Sequence, residues 1–302
     1  MLEQDYQLIP PRPFLKWAGG KSQLISQYLP YFPQSFATYY EPFLGGGAVF
    51  FYLSESARSC LDKQEKLRAV LTDINSELIH LYCCVRDCVE PLISILEKHQ
   101  INHSKDYYYE VRSQTNGTAI EKSARFIYLN KTCFNGLYRE NSKGEFNVPI
   151  GRYKNPTICH PNLLRSVSVA LQSAQIEVRP FEAVLNYAKT SEDFVYFDPP
   201  YYPLSNTSNF TAYSRYSFNQ EDQIRLRNTF AELANRGVKV MLSNSDCPFI
   251  RELYQDFKIH EISAARAINS DAKKRGKITE LLITSYETVN LPPFVRAGTP
   301  ET

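Results

Sequence analysis

The apolar positions of the chain follow two patterns that alternate along its length. Short runs rich in aromatic and β-branched residues predict strands at 39–43, 68–72, 175–179, 194–197, 238–243, 258–262 and 281–286. Longer segments with apolar residues three or four apart predict helices at 22–29, 48–54, 75–99, 106–135 and 219–236. The segment 75–99 is one helix or two, and 106–135 is broken near Asn116-Gly117. This alternation predicts an α/β fold in which a parallel or mixed sheet carries helices on both faces.

The middle of the chain interrupts the alternation. Residues 76–165 are mainly helical in pattern, so we expect an inserted second domain there. Residues 1–75 and 166–302 then form the sheet domain. The chain has 302 residues, of which 43% are apolar, and this is enough for one large core or two smaller ones.

A polar, glycine-punctuated segment inside the insertion predicts a β-hairpin. Its strands are 138–141 and 146–148, and its turn is Ser142-Lys143-Gly144. Basic residues gather around it, because seven of them and only two acids lie between Lys122 and Lys154. The net charge of +2 neither suggests nor excludes nucleic acid, so the local clustering carries more information than the total.

Composition restricts the class of protein. Seven cysteines, an odd number without a Cys-x-x-Cys pair, indicate reduced thiols in a cytoplasmic protein. His80, Cys84 and Cys88 share a helical face, but no fourth ligand is visible nearby, so we expect no metal site. The chain has no run of eighteen apolar residues and no signal-like N-terminus, so we expect neither a membrane span nor a secretory leader.

A glycine-rich turn follows the first predicted strand, in the stretch E-P-F-L-G-G-G-A. The order strand, glycine turn, helix lets backbone groups approach a ligand closely, which makes Phe43, Gly45 and Gly47 candidate ligand contacts. The next strand ends at Asp73, where an acid in such sheets accepts hydrogen bonds from ribose hydroxyls. A tight turn that only needs positive φ is the alternative interpretation of the glycines.

The details of this turn favour an adenosine ligand without phosphates. Phe50 stands where the dinucleotide-binding pattern requires its third glycine. S-adenosylmethionine is a ligand of the favoured kind, because it needs acids and π faces rather than an anion cradle. Trp17, the single tryptophan, and Lys21 stand in the stretch P-F-L-K-W-A-G-G-K, and Lys21 is a candidate partner for the ligand's carboxylate. A core tryptophan and a surface lysine are the alternative.

The predicted strand at 194–197 runs into Asp198-Pro199-Pro200-Tyr201. Two prolines fix two φ angles and remove two donors, which stiffens the segment and leaves its carbonyls free to accept hydrogen bonds. The exocyclic amine of adenine is a poor nucleophile, because its lone pair is delocalised into the ring. Asp198 and the Pro199 carbonyl can accept from its two N–H groups, while Tyr201 can stack on a flipped base. The segment therefore predicts methyl transfer by orientation and electrostatics, without a metal or a covalent intermediate.

Together these stretches resemble the Dam-type, alpha-class DNA adenine methylases, over about residues 13–287. The resemblance rests on F-L-K-W-A-G-G-K at 14–21, E-P-F-L-G-G-G at 41–47, L-T-D-I-N-S-E-L-I at 71–79, F-N-G-L-Y-R-E-N-S-K-G-E-F-N-V-P-I-G-R-Y-K at 134–154 and Y-F-D-P-P-Y at 196–201. It implies a Rossmann-like methyltransferase sheet with an inserted target-recognition domain. It also implies a site-specific, adenine-specific DNA methyltransferase that uses S-adenosylmethionine. The implied cofactor contacts are Trp17, Lys21, Asp73 and Asp198, and the implied catalytic residues are 198–201.

The resemblance further implies that the insertion binds double-stranded DNA at GATC sites. In the family, the residue matching Arg139 reads a guanine from the hairpin, which suits the bidentate match between arginine and guanine acceptors. Residues matching Phe134 and Asn135 act beside the flipped base, Leu137 packs against a base, and Lys16 touches DNA. Some members carry tyrosine at the position of Phe134, and we expect intercalation to survive because it uses the ring face.

Several alternatives remain open at this point. A methyltransferase acting on cytosine or on a protein glutamine is disfavoured by Asp198, because such enzymes more often carry Ser or Asn there. A nicotinamide dehydrogenase is disfavoured by the missing third glycine, and an inactive DNA-binding module by the presence of the expected catalytic residues. A chance Pro-Pro turn capped by Asp198 is a further alternative.

The biological setting is also open. We expect a monomer on duplex DNA, and the sequence does not decide whether a cognate restriction endonuclease is encoded nearby. The polar run 203–213 is expected to close over the cofactor or to order on DNA. The basic run 273–277 is interpreted as a phosphate-contacting loop, with a solvated loop as the alternative.

Overall fold

Seven strands form one mixed sheet in the computed structural model, which describes residues 9–59, 66–141, 144–204, 218–265 and 277–288. The strands are β1 Thr38–Glu41, β2 Arg68–Asp73, β3 Ala174–Val178, β4 Asp193–Phe197, β5 Lys239–Ser245, β6 Lys258–Ala265 and β7 Lys277–Thr284. The α-helices are α1 Ile25–Tyr28, α2 Ala48–Ser59, α3 Ser76–Asp87, α4 Val89–Asn102, α5 Lys105–Ser113, α6 Ala119–Thr132, α7 Pro161–Leu171, α8 Gln220–Asn235 and α9 Pro248–Leu253. Short 3-10 helices occupy Lys21–Gln23, Leu29–Tyr31, Phe134–Gly136 and Phe181–Asn186.

The strand order is β3-β2-β1-β4-β5-β7-β6, and only β7 runs antiparallel to its neighbours. From β1 the chain builds outward through β2 to β3, and it then returns to place β4 on the other side of β1. The carboxyl ends of β1 and β4 therefore flank the point where the winding reverses. In open α/β sheets, ligands bind in the crevice at such a switch point.

Strand β4 shows why the sheet is covered on both faces. All five of its residues are buried, as expected for a central parallel strand. Phe194 and Tyr196 join one apolar cluster, whereas Val195 and Phe197 join the other. Because successive side chains of a strand point to opposite faces, these two clusters are the two layers between the sheet and its helices.

Capping residues set the starts of the helices. In α8, Asn219 Oδ1 accepts from the Asp222 amide at 3.0 Å, and Asp222 Oδ2 accepts from the Asn219 amide at 2.8 Å. In α6, Thr118 and Glu121 form the same reciprocal box. This box starts α6 directly after the break predicted near Asn116-Gly117, so the helical pattern at 106–135 forms two helices, α5 and α6.

The sequence-based fold prediction is confirmed as a mixed α/β sheet with the predicted strands. The predicted division into domains stays a prediction; its boundary at 165/166 falls inside α7. The predicted hairpin segments pair antiparallel, through a bridge between Glu140 and Phe146 and through the Asn147 and Asn141 amides, which donate to the Arg139 and Glu145 carbonyls at 3.1 and 2.9 Å. The pairing is too short to make 138–141 and 146–148 regular strands. These segments pair only with each other and lie outside the sheet, so no neighbouring strand extends the pairing.

Two predicted segments fall largely outside the described residues. These are the polar run 203–213, beyond Leu204, and the basic run 273–277, before Lys277 begins β7. Across the ranges that are described, no helix is long and apolar enough to cross a membrane. Every cysteine within those ranges is a free thiol.

Candidate active site

Asp198 lies immediately beyond β4, and one of its oxygens takes part in both an ion pair and a hydrogen bond. Lys21 Nζ is 2.7 Å from Asp198 Oδ1, and Ser243 Oγ of β5 is 2.8 Å from that atom. An ionised carboxylate only accepts, so Ser243 donates to Asp198 and accepts in turn from the Tyr196 hydroxyl, 2.9 Å away. Among the residues that the structure describes, none bonds to Asp198 Oδ2, and this oxygen is left to meet a ligand.

Lys21 is a buried cation at the centre of the site. Its side chain is 4% exposed, its ammonium donates to the Gly19 carbonyl, and it lies 4.7 Å from the centroid of the Tyr201 ring. The sequence predicted a carboxylate partner for Lys21, and the structure provides one within the protein, Asp198. Contact between Lys21 and the carboxylate of a ligand stays a prediction.

Tyr201 is fixed at both ends of its side chain. Its hydroxyl donates to Glu280 Oε2 of β7 at 2.7 Å, while the Lys21 ammonium covers the ring. The next residue, Tyr202, is held through its backbone amide by Asn244 of β5. The segment after β4 is therefore tied to two further strands of the sheet.

The glycine turn after β1 requires glycine for its backbone and for its packing. Gly45 and Gly47 have φ of +46° and +66°, where an L side chain is strained. A Cβ on Gly45 would lie 2.9 Å from the indole of Trp17. The Gly45 amide donates to Asp73 Oδ2 at 3.2 Å, and its carbonyl accepts from the Tyr82 hydroxyl at 3.1 Å. The structure thus brings Trp17, Gly45 and Asp73 together, as the sequence predicted.

Two acids stand at the carboxyl ends of β1 and β2, of which Glu41 is buried and Asp73 is partly buried. Burial raises the pKa of Asp73 to about 6, although backbone amides of Asn75 and Gly45 stabilise its charge. Burial also raises the pKa of Glu41 to about 8, and the nearby Asp198 carboxylate adds to this effect. Glu41 is 2% exposed and accepts from the Tyr39 hydroxyl at 2.8 Å. Sequence reasoning did not identify Glu41.

The charge pattern fits a cationic ligand with hydroxyl groups. At this end of the sheet the Asp73 and Asp198 carboxylates lie with the buried Lys21, which pairs with Asp198, whereas Glu41, with its pKa of about 8, is mostly neutral near pH 7. A pyrophosphate would meet carboxylates here, whereas a sulfonium and a ribose would find acceptors. Phe43 packs against the rings of Phe181, Phe218 and Phe197, with centroids 5.5 to 6.3 Å apart, and its contact with a ligand stays a prediction.

The predicted DNA contacts lie on the loop after α6, except for Lys16, which belongs to the N-terminal segment. Asn130 joins this loop to the N-terminal segment: it accepts from the Lys16 amide and donates to the Lys16 carbonyl, at 2.8 and 2.7 Å. It also donates to the Gly136 carbonyl at 3.3 Å. The Lys16 ammonium lies 3.6 Å from the centroid of the Tyr153 ring and donates to the Lys131 carbonyl.

The side chains of this loop are turned outward. Phe134 and Leu137 are 48% and 38% exposed, which is unusual for large apolar residues, and Asn135 between them has φ of +55°. Arg139 is exposed, and its Nε donates to Asn147 Oδ1 at 2.8 Å. The Asn147 amide donates to the Arg139 carbonyl at 3.1 Å, so the two segments of the hairpin fix each other.

Sequence reasoning missed the residues that support both regions. They are Asn130 in α6, Gln223 in α8, and Ser243 and Asn244 in β5. A usable signal existed for the last two, because β5 reads V-M-L-S-N-S and changes from apolar to polar at its carboxyl end. Polar residues at the carboxyl end of a parallel strand face the ligand crevice.

Comparison with known proteins identifies the family. The sequence profile of the D12 class N6 adenine-specific DNA methyltransferases matches residues 17–268. This chain belongs to that family. It is therefore an adenine-specific DNA methyltransferase.

Relatives of two kinds resemble this D12-class chain over nearly its whole length. A Type II methyltransferase of Lactococcus lactis subsp. cremoris is 45% identical over 283 residues, covering 91% of this chain and 95% of the relative. A Type II methyltransferase of Methanocaldococcus jannaschii is 45% identical over 294 residues, covering 91% and 99%. The DNA adenine methylase of Escherichia coli K12 is 36% identical over 275 residues, covering 90% and 94%.

Proposed function

We propose that this D12-class enzyme transfers the methyl group of S-adenosylmethionine to the N6 amine of an adenine flipped out of duplex DNA at GATC. The observation that carries the proposal is the state of Asp198. Lys21 and Ser243 both occupy Oδ1, and this leaves Oδ2 as a fixed acceptor at the switch point of the sheet. A fixed acceptor of this kind can bind the N–H group of an amine.

The cofactor is proposed to lie along the carboxyl ends of β1, β2 and β4. The residues that would hold it are Trp17, Lys21, Phe43, Gly45, Gly47, Asp73 and Asp198. The buried acids and the glycine turn packed against the Trp17 indole support this placement. When bound, S-adenosylmethionine supplies an electrophilic methyl group next to a sulfonium.

The chemistry assigned to the protein is to orient and polarise the amine. Asp198 Oδ2 accepts one amine N–H, and the Pro199 carbonyl accepts the other. Two acceptors would draw the nitrogen out of conjugation with the ring and make its lone pair available for the methyl group. As the N–C bond formed, the S–CH3 bond of the donor would break with its electron pair going to sulfur, and Asp198 would stabilise the positive charge on the nitrogen and accept its surplus proton.

The prolines and Tyr201 complete the grip on the base. Pro199 and Pro200 have fixed φ, so the direction of the Pro199 carbonyl changes little on binding. In the described part of the chain nothing else bonds to that carbonyl. Tyr201 provides an aromatic face on which the flipped adenine stacks.

DNA is proposed to bind on the outward-turned loop after α6. Phe134 and Asn135 occupy the gap beside the flipped base, Leu137 packs on a base, and Lys16 contacts the DNA. Arg139 reads a guanine with its terminal nitrogens, while Asn147 holds its Nε. The exposure of Phe134 and Leu137 supports this role, since apolar wedges must be available to the duplex.

The relatives suggest two biological settings for a monomeric enzyme acting on duplex DNA. Some bear the name Type II methyltransferase, which points to restriction–modification and a cognate endonuclease, and others are DNA adenine methylases. A restriction endonuclease gene beside this one would support the first setting. The chemistry proposed for Asp198 is the same in both.

Labelled methyl transfer tests the proposal directly. The protein is incubated with labelled S-adenosylmethionine and with duplexes that carry GATC or single-base variants of it, and the product base is identified. Label in N6-methyladenine only on GATC is expected. Label in adenine on another sequence would overturn the assigned specificity, and no label in any DNA would overturn the proposal.

A further inference from the structure

Two buried amide side chains hold the backbone that follows Asp198. Gln223 Nε2 of α8 donates to the Pro200 carbonyl at 3.0 Å. Asn244 Nδ2 of β5 donates to Gln223 Oε1 at 3.0 Å, and Asn244 Oδ1 accepts from the Tyr202 amide at 3.1 Å. Both side chains are 0% exposed. The result is a closed chain of hydrogen bonds that begins and ends on the reacting segment.

The chemistry of the two ends fixes the direction of every bond in this chain. A carbonyl only accepts and a backbone amide only donates, so Gln223 must present nitrogen to Pro200 and Asn244 must present oxygen to Tyr202. The remaining nitrogen of Asn244 then meets the remaining oxygen of Gln223. Flipping either amide would place two like atoms together. Only this one arrangement satisfies all the groups.

Neighbouring bonds reinforce the same arrangement. Asn244 Oδ1 also accepts from the Ser245 amide at 2.8 Å, and Ser245 Oγ donates to the Tyr202 carbonyl at 2.7 Å. The segment needs this outside support because Pro199 and Pro200 cannot donate to any partner. The held groups, the Pro200 carbonyl and the Tyr202 amide, lie on either side of Tyr201.

We propose that Gln223 and Asn244 are positioning residues of the methyl transfer. They fix the peptide groups around Tyr201, and through them the Pro199 carbonyl that accepts from the amine. They do not touch the substrate themselves. The inference rests on the proposed function, because that function makes the Pro199 carbonyl the acceptor that Gln223 and Asn244 align. A misplacement of about 1 Å at a reacting group can lower a rate by about 10²-fold.

Gln223→Glu tests the inference with a pH profile. The introduced carboxyl has the shape of the amide; ionised, it cannot donate to the Pro200 carbonyl, whereas protonated it restores both bonds. Burial raises the pKa of such a group, which brings its titration into the working range. Relative to the wild type, we expect turnover lower by about 10²-fold at pH 8.5 and recovering as the pH falls to 6. The KM for S-adenosylmethionine should stay unchanged.

Gln223→Leu is the matched control, because it removes both bonds without a titratable group. Its turnover should be reduced by a similar factor at every pH. Titrations of Asp198, Glu280 and Lys21 are common to all three proteins and cancel in the ratio to the wild type. If the glutamate variant does not fold, Asn244→Asp serves, since its ionised carboxylate cannot donate to Gln223 and its protonated form can.

The possible outcomes distinguish a failure of the proposed function from a failure of the positioning role. A wild-type protein that transfers no label to DNA would overturn the proposed function. An active wild type with a flat activity ratio for Gln223→Glu from pH 6 to 8.5 would overturn the positioning role alone. So would a folded Gln223→Leu variant within threefold of wild-type turnover, or a change confined to the KM for the cofactor.

Discussion

The segment after β4 and the loop after α6 carry the two halves of the proposed activity, and they are built in opposite ways. Around Asp198 the polar atoms are paired and largely buried, with Lys21 at 4% and Ser243 at 0% exposure. On the loop, Phe134 and Leu137 face outward, and Arg139 makes one side-chain bond. One region is held in place by contacts within the protein, and the other presents exposed side chains to the solvent.

The difference follows from what each region must do. Orienting a weak nucleophile requires acceptors that are already in place, because reorganising them during the reaction would raise the barrier. Reading DNA requires groups that can enter a groove or a gap in the base stack, and these must remain accessible. Changes in the first region should therefore act on turnover, whereas changes in the second should act on selectivity.

The largest effect is expected in the segment after β4. Asp198→Ala removes the acceptor of the amine proton and should lower turnover by about 10³-fold, while DNA binding is largely retained. Asp246→Ala is the control, because Asp246 has the same 21% side-chain exposure but pairs with Arg251 away from the segment. Methylation assays measure the turnover of both variants, and DNA-binding titrations measure their affinity for DNA. Near-normal turnover of Asp198→Ala would contradict the mechanism.

A smaller effect, on selectivity, is expected at the outward-turned loop. Arg139→Ala should weaken discrimination at one guanine of the site by about 1–3 kcal/mol, without a matching loss on other positions. Arg68→Ala is the control, because this exposed arginine starts β2 at its amino end, opposite the carboxyl ends where the candidate site lies. Turnover on duplexes that carry each of the four bases at each position of the site gives the selectivity profile. An unchanged profile would remove Arg139 from the reading set.

Burial of charge should also appear as a pH dependence of stability. The pKa of Glu41 is raised from 4.5 to about 8, so the folded protein binds this proton more tightly than the unfolded chain. The ligand-free protein should therefore lose stability as pH rises between about 4.5 and 8, by at most about 1.4 kcal/mol per pH unit from this group. Glu41→Gln should flatten that decline. Urea unfolding at several pH values measures the free energy of unfolding of both proteins. An equal decline with pH in the wild type and in Glu41→Gln would contradict the expectation.

The smallest effect is expected for a change that keeps a ring in the loop. Phe134→Tyr preserves the apolar face and adds a hydroxyl that can point to solvent, so turnover should stay within about twofold. Phe134→Ala is the contrasting variant, since it removes the ring and should slow the step that opens the base stack. Base-analogue fluorescence at the target adenine follows that step. Equal kinetics for the two variants would show that the ring has no role there.

The positions of the strands along the chain and the chemistry of the main motifs could be predicted from sequence, because both are local. Continuous apolar runs define buried strands, and β4 is buried along all five residues. The glycines at positive φ and the carboxylate before two prolines can be recognised from single positions. The antiparallel pairing within 138–148 could be predicted as well, but its length could not, because the residue pattern does not show that a single bridge forms.

The sequence by itself determined which groups this protein can use: the Asp-Pro-Pro-Tyr segment, the glycine turn, Asp73 and the basic insertion. Only the tertiary structure decided how they are held. Lys21 meets Asp198 across 177 positions of the chain, and Gln223 and Asn244 reach the same segment from α8 and β5. Such partners are set by how strands and helices pack, and a periodic pattern reports which face is buried without reporting which polar atoms meet there.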